Sequence, residues 1–380
     1  SYLKTQNRGG YDIWALKISD NVSTEDSTEA DVMIMGNIHA REIITPEIVM
    51  HFMDYLLEGY GSDAYVTHLV NNREIWLLPM TNPDGHEYVF TGDVNNVFQN
   101  ALDPARWRKN MRDNNDNELF DPTEDGVDLN RNFGFAWGID DQGSSPVPSD
   151  ATYRGPEAFS EPEAQVLRDF ARNHDFRISL CYHSYGSLLI YPWGYTTDPV
   201  PEPDFSSFLA LADSMTAYNG YASGNSESLL YSVNGDTDDW FYGELGIFAF
   251  TPEVGSRQKG FFWPPIGRIE SQIQENLGPN LYAVYAAGEE PLVEKPFVSF
   301  PADSIRIETS IRPPVPLTAP VNLDTSSFRV FYRFNADSEY QSASLNFEPD
   351  IPIFAAEIPR PAAGGTLEYY VEATDDIGRT

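Results

Sequence analysis

Asp31-Val32-Met33-Ile34-Met35-Gly36-Asn37-Ile38-His39-Ala40-Arg41-Glu42 joins an apolar run to a polar cluster at its end. The run Val32–Ile38 reads as a β-strand. Similar apolar centres recur at Ile13–Ile18, Ile75–Met80, Ile178–Tyr182, Leu188–Tyr191 and Ile247–Thr251. Amphipathic helical stretches lie between them. Thr45–Gly59 carries Ile48, Val49, Phe52 and Leu56 at helical spacing, and Pro203–Tyr218 and Ile266–Ala287 read likewise. A further helix starts at Ser160, where Glu163 three residues on reads as a capping box. Strands alternating with helices over residues 1–290 predict an α/β fold, a mixed central β-sheet flanked by helices. In such sheets functional groups collect at the carboxyl edge. Asn37–Glu42, Thr81–His86, His183–Tyr185 and Thr251–Glu253 all sit at or just after strand ends, which points to one site assembled from distant segments.

The pattern changes near Pro291. From Val298 onward come short alternating runs, Ser304–Ile311, Ser327–Phe334, Ser342–Phe347 and Thr366–Glu372, separated by Pro, Asn, Asp and Gly. They predict a small all-β sandwich without a catalytic constellation. The expected division is 1–291 for a catalytic domain, trimmed at its N-terminus, and 292–380 for an accessory β-sandwich, cut short at its C-terminus.

Acidic residues number 58 against 24 basic ones, a formal net charge of −34. Phosphate backbones would be repelled, so nucleic acid is excluded as a partner. The lysines are only Lys4, Lys17, Lys109, Lys259 and Lys295; an acid-rich, lysine-poor surface stays soluble where salt screens its self-repulsion. No apolar run is long enough to span a bilayer. The single cysteine, Cys181, lies in an apolar stretch and reads as a buried structural thiol. The opening has no charged and apolar leader. The chain reads as the mature or trimmed form of a secreted, monomeric protein.

His39 and Glu42 stand three residues apart, so both can face one ion. A hydrolytic zinc takes three protein ligands and a water. Among the histidines His39, His51, His68, His86, His174 and His183, the third ligand is best supplied by His183, which ends the strand Ile178–Tyr182. His51, His68 and His174 fall in helical stretches, and His86 in the turn sequence Asn82-Pro83-Asp84-Gly85-His86. His-x-x-Glu alone is a weak signal. Its company strengthens it: Arg106-Trp107-Arg108-Lys109-Asn110, Asp128-Leu129-Asn130-Arg131-Asn132-Phe133, Tyr231 ahead of Trp240, and Phe250-Thr251-Pro252-Glu253.

With these motifs in this order, the chain resembles the zinc carboxypeptidases of pancreatic A and B type, and most nearly their bacterial T-type branch, over nearly all of residues 1–290. The resemblance implies that His39, Glu42 and His183 bind one Zn2+. It implies that Asn130 and Arg131 hold the carboxylate of a peptide C-terminus, and that Arg108 polarises the scissile carbonyl. Tyr231 would close over the end group, Glu253 would be the general acid/base, Arg41 a further substrate contact, and Asp128 a support for His39. Pro252 departs from the family, which usually has an aromatic residue before the acid. A planar guanidinium such as Arg131 grips a carboxylate bidentately, the main reason in the residues to expect an exopeptidase.

Asn234-Gly235-Asp236-Thr237-Asp238-Asp239-Trp240 should line the pocket for the terminal side chain. Asp238 matches the acid of B-type pockets and Asp236 that of the T-type, so Lys or Arg ends are expected, with tolerance of apolar ones; either acid could instead cap a helix or face solvent. Asp113-Asn114-Asn115-Asp116-Asn117-Glu118 has oxygens that suit Ca2+, although an acidic surface loop is the favoured reading. The competing functions are a related zinc peptidase or amidase acting on cell-wall peptides, and an inactive adhesion or binding module. Asn130 with Arg131 argues against the first, and the intact His39, Glu42, His183 and Glu253 against the second.

Overall fold

The computed structural model of the chain describes residues 1–93 and 102–289 and, beyond them, 292–293, 296–301, 303–312, 314, 323–335, 339–348, 353–361 and 366–375. It divides into two compact units, Ser1–Gly288 and Glu289–Thr380.

The first unit is built on a mixed sheet. Its strands are β1 (Leu16–Ile18), β2 (Ala30–Met35), β3 (Arg73–Leu78), β4 (Phe176–Cys181), β5 (His183–Ser184), β6 (Leu188–Ile190), β7 (Ala222–Gly224) and β8 (Phe248–Val254). They run in the order β1-β3-β2-β4-β8-β6-β7, with β5 on β8. The central pairs β3/β2, β2/β4 and β4/β8 are parallel, while β1/β3 and β6/β8 are antiparallel. Every residue of β2 is buried. Apart from Asp31 its text is accordingly an apolar run, as expected of a central parallel strand covered on both faces.

The helix Ile44–Gly59 buries Ile44, Ile48, Val49, Phe52 and Leu56, the stripe its spacing predicts. The long helix Ile266–Ala287 matches its predicted bounds, and Arg73 donates from Nε to Val284 O and from Nη2 to Tyr285 O near its end. The expected capping box at Ser160 does not form. The helix spans Pro162–Arg172, and Ser160 Oγ donates to Glu161 Oε1 instead. Glu163 is drawn away because its buried carboxylate accepts Tyr2 N–H at 2.6 Å and Asn110 Nδ2–H at 3.2 Å. His86 lies not in a bare turn but in a short helix, Pro83–Val89, capped by Asn82, whose Oδ1 accepts Gly85 N–H. Among the described residues, no helix is long and apolar enough to cross a membrane.

The second unit is all-β. One sheet holds Phe297–Ser299, Ser304–Thr309, Ile353–Pro359 and Asn346–Glu348; another holds Gln341–Ser344, Leu323–Phe334 and Leu367–Asp375. Leu292–Val293 pairs with Ile311–Arg312. Alternate residues point inward, so Ile305, Ile307, Phe354, Ala356 and Ile358 of the first sheet pack with Phe328 and Val330 of the second.

Candidate metal centre and active site

Sheet register brings the site together. Met35 at the end of β2 lies opposite Cys181 at the end of β4, and Tyr182 N–H donates to Met35 O at 2.8 Å. His39 follows Met35 by four residues and His183 follows Cys181 by two, so both leave the carboxyl edge of adjacent parallel strands. Glu253 on β8 is the register partner of His183 on β5. Pro252 does not interrupt this arrangement: β8 runs through it, with Pro252 opposite Leu189 of the antiparallel neighbour. Asn37, in the left-handed region at φ 56°, donates from Nδ2 to His39 O and Ala40 O and shapes the turn that presents His39. Only its place after a strand marks it in the sequence; asparagine is among the residues that tolerate this conformation.

His39 Nδ1 lies 2.9 Å from Glu42 Oε1 and 3.0 Å from His183 Nδ1, and His183 Nδ1 lies 3.1 Å from Glu42 Oε2. All three side chains are buried. Among the described residues they form the one group of His, Cys, Asp or Glu side chains placed to hold a metal. Tetrahedral zinc with bonds of about 2.0–2.1 Å has donor–donor edges of about 3.3 Å. The triangle is a few tenths of an ångström tighter, and its two nitrogens and one carboxylate are the donor types zinc takes. The residues therefore fit a zinc ion.

Asp128 ties the centre to its surroundings. Its Oδ1 lies 3.2 Å from His39 Nε2, and its Oδ2 accepts Arg108 Nε–H at 2.8 Å. A carboxylate behind a metal-binding imidazole fixes the ring and its tautomer. Asp128 also caps the turn Leu129–Arg131 by accepting Asn130 N–H, which places Asn130 and Arg131 beside the donors. Arg131 is only 2% exposed; its Nη1 donates to Asn130 O, and its buried Nε has no partner. Asn130 lines the same cavity, but its amide is engaged: Oδ1 accepts Thr237 N–H at 3.0 Å, and Nδ2 lies 3.3 Å from His183 Nε2.

One cavity is lined by His39, Arg108, Asn130, Arg131, His183, Tyr231, Asp236, Asp238 and Glu253, with Ile190, Ser226, Leu230, Val233 and Thr251 completing its wall. Tyr231, 51% exposed, stands at its edge. Arg41 lies outside this lining. It borders a neighbouring cavity that shares Arg108, donates from Nη1 to Arg106 O, and stacks its guanidinium 4.1 Å from the centre of the Phe262 ring. Phe262 carries no motif that would have singled it out.

Burial pushes Glu253 up to about 7, with Glu42 adding to the rise and His183, Arg108 and Arg41 opposing it. Burial likewise raises Asp236 to about 6, and burial with Asp236 raises Asp238 to about 8. Asp236 both lines the cavity and caps the helix Thr237–Leu245, accepting Asp239 N–H at 3.1 Å. Asp238 Oδ1 is buried without a partner.

The loop at Asp113–Glu118 does not support the calcium reading. Asp113 already accepts Asn117 N–H, Glu118 N–H and Arg8 Nη1–H, so its oxygens fold the loop instead of converging on an ion.

Residues 5–278 match the family model described as zinc carboxypeptidase. A zinc carboxypeptidase of Saccharothrix mutabilis subsp. capreolus is 32% identical over 277 residues, 70% of this chain and 59% of that protein. A carboxypeptidase B of Astacus astacus is 35% identical over 243 residues, 61% of this chain and 73% of that protein. The chain thus spans less than two thirds of the Saccharothrix relative. Among solved structures, thrombin activatable fibrinolysis inhibitor superposes with a TM-score of 0.62 at 26% identity, covering 73% of this chain and 66% of that one. The carboxypeptidase A of Helicoverpa armigera gives 0.60 at 28% identity, covering 73% and 65%. With the family model covering most of its length and the donor triangle in place, the chain belongs to the zinc carboxypeptidase family.

Proposed function

We propose that the chain is a zinc-dependent carboxypeptidase that hydrolyses the last peptide bond of its substrates and favours Lys or Arg ends while tolerating apolar ones. One observation carries this reading. A buried guanidinium, Arg131, whose Nε has no partner, lines the same cavity as His39 and His183, which form the donor group with Glu42. A buried donor without a partner is costly, and a terminal carboxylate would satisfy it with a charge-assisted bond.

His39, Glu42 and His183 would hold the zinc, which supplies Lewis acidity and makes water acidic enough to ionise near neutrality. Glu253, held near neutrality by burial, takes a proton on its carboxylate and returns it to the leaving amine. Arg108, fixed by Asp128, stabilises the negative oxygen that develops on the scissile carbonyl. Arg131 and Asn130 orient the terminal carboxylate, Tyr231 closes over the end group, and Arg41 contacts the chain upstream. For the end group itself, Asp238 Oδ1 is buried without a partner beside Asp236, and a cationic side chain would satisfy it; Ile190 and Val233 supply apolar wall. The first unit carries this activity and the β-sandwich is accessory to it. The acid-rich surface favours a secreted, monomeric enzyme at work in salt.

The test is release of terminal amino acids from peptides that differ only in ending in Arg, Phe or Glu. Turnover should be highest for Arg, measurable for Phe, abolished by a chelator and restored by zinc. Faster release of Glu than of Arg would end the preference, and turnover indifferent to chelation would end the zinc reading.

A further inference from the structure

His183 offers its two ring nitrogens to different surroundings. Nδ1 lies 3.0 Å from His39 Nδ1 and 3.1 Å from Glu42 Oε2, among the metal donors. A nitrogen that donates to a metal carries no proton, so the proton of the neutral ring sits on Nε2. This N–H is buried and needs an acceptor. Two groups lie within reach: Asn130 Nδ2 at 3.3 Å and Cys181 Sγ at 3.5 Å. Asn130 is turned the wrong way. Its Oδ1 accepts Thr237 N–H, so the face it presents to His183 is an NH2 group, which donates. The sulfur is left as the acceptor.

We propose that Cys181 is a positioning residue for the metal: its sulfur accepts the Nε2–H of His183 and so fixes the tautomer and ring plane of the second imidazole ligand. The inference rests on the zinc reading above. The contact is built into the strand. Cys181 ends β4 two residues before His183, so the two side chains leave the same face of the sheet. The thiol is held in a packed core with Met33, Met35, Leu129 and Trp240, which leaves the sulfur little freedom to move away. His39 receives a carboxylate behind its ring, Asp128, whereas His183 receives a weak and polarisable acceptor. The two histidines are therefore unequal ligands.

Cys181→Ala and Cys181→Ser test this together. Both replace the thiol by a smaller group of similar size, but only serine retains an acceptor. Zinc affinity is read by competition with a chromophoric chelator, and the melting temperature of each metal-free protein is read alongside. The alanine variant should bind zinc about 10-fold more weakly, the low end of what loss of an outer partner costs, while the serine variant stays within about 3-fold of the parent. The two metal-free melting temperatures should agree. Equal zinc affinity in the two variants, whether kept or lost, would overturn the inference. A measurement on the unaltered protein guards against misfolding of either variant: imidazole 15N spectra of the zinc-loaded chain should find His183 protonated at Nε2. A proton on Nδ1 would refute the assignment while leaving zinc binding intact. A parent protein that takes up no zinc would bring down the metal reading and this inference together.

Discussion

Asp128 Oδ2 accepts Arg108 Nε–H at 2.8 Å with both groups buried, while its other oxygen backs His39. One carboxylate thus sets both the metal donor and the guanidinium proposed to meet the scissile carbonyl. Burial pushes this carboxyl up, but Arg108, His39 and Arg131 outweigh it and hold it well below the usual range. A depressed carboxyl contributes stability above its unfolded pKa and loses it only as the pH falls through the depressed folded value. Near neutrality the pair is intact. Asp128→Asn should lower stability by about 3–5 kcal/mol, the cost of leaving one member of a buried ion pair uncompensated. Zinc affinity should fall about 10–100-fold. Denaturant unfolding and chelator competition read the two effects separately, and a variant with unchanged zinc affinity would show that Asp128 does not orient His39.

Glu253→Gln should keep zinc binding and lose nearly all turnover, because the amide can neither take the proton nor return it. The carboxyl is pushed up to about 7 by burial, and a divalent cation beside it pulls it back down. A base works ionised, so kcat/KM should fall as pH drops below a limb lying at or under about 7. A profile flat between pH 4 and 7 would remove Glu253 from that role.

Asp238→Asn should cost Arg- and Lys-ended peptides about 10–100-fold in kcat/KM, about 1.4–2.8 kcal/mol of lost charge pairing, and leave Phe-ended peptides nearly unchanged. The pH dependence has a definite sign. Burial and Asp236 raise Asp238 to about 8, so lowering the pH through 8 protonates it and KM for Arg ends should rise. KM for Phe ends should not follow. Equal pH responses for the two substrates would mean that Asp238 does not meet the end group.

Much of this was legible because each element had a single strong cause. The helix Ile266–Ala287 keeps its expected bounds although its buried face carries Gln272, Asn276 and Asn280 among apolar residues; the strand expected over Val32–Ile38 runs from Ala30 to Met35 and stops short of the left-handed turn at Asn37. Spacing marks His39 and Glu42, a strand end marks His183, and the family resemblance joins the three; their meeting depends on the Met35–Cys181 register, which no local pattern states. The capping box at Glu163 fails because the residue's partner, the Tyr2 amide, is 161 residues away in the chain and invisible to local pattern. Asn234–Trp240 reads as pocket lining with helix capping as the alternative for its acids, and both hold for Asp236, which lines the cavity and caps the helix Thr237–Leu245. Cys181 reads as a structural core thiol; its two-residue spacing from His183 puts both side chains on one face, but no pattern in the text tells which ring nitrogen the sulfur meets.

Gly235→Ala probes the close approach between the segment that leads into Asp236 and the backbone of Arg131. Gly235 holds φ at +71°, and a Cβ there would sit 2.7 Å from the Arg131 carbonyl oxygen. Its own carbonyl accepts Phe133 N–H at 2.9 Å, so the segment cannot move off without breaking that bond. A left-handed backbone with a side chain costs about 1–2 kcal/mol before any clash is counted. The variant should therefore lose about 2 kcal/mol or more of stability. Displacing the backbone of Arg131 should also raise KM for every peptide, whatever its end group, since the terminal carboxylate is common to all. Zinc affinity should hold, because none of the donors is touched. Denaturant unfolding with KM values for Arg- and Phe-ended peptides reads both effects; a rise in KM confined to Arg ends would place the damage in the Asp236–Asp238 pocket instead of at Arg131.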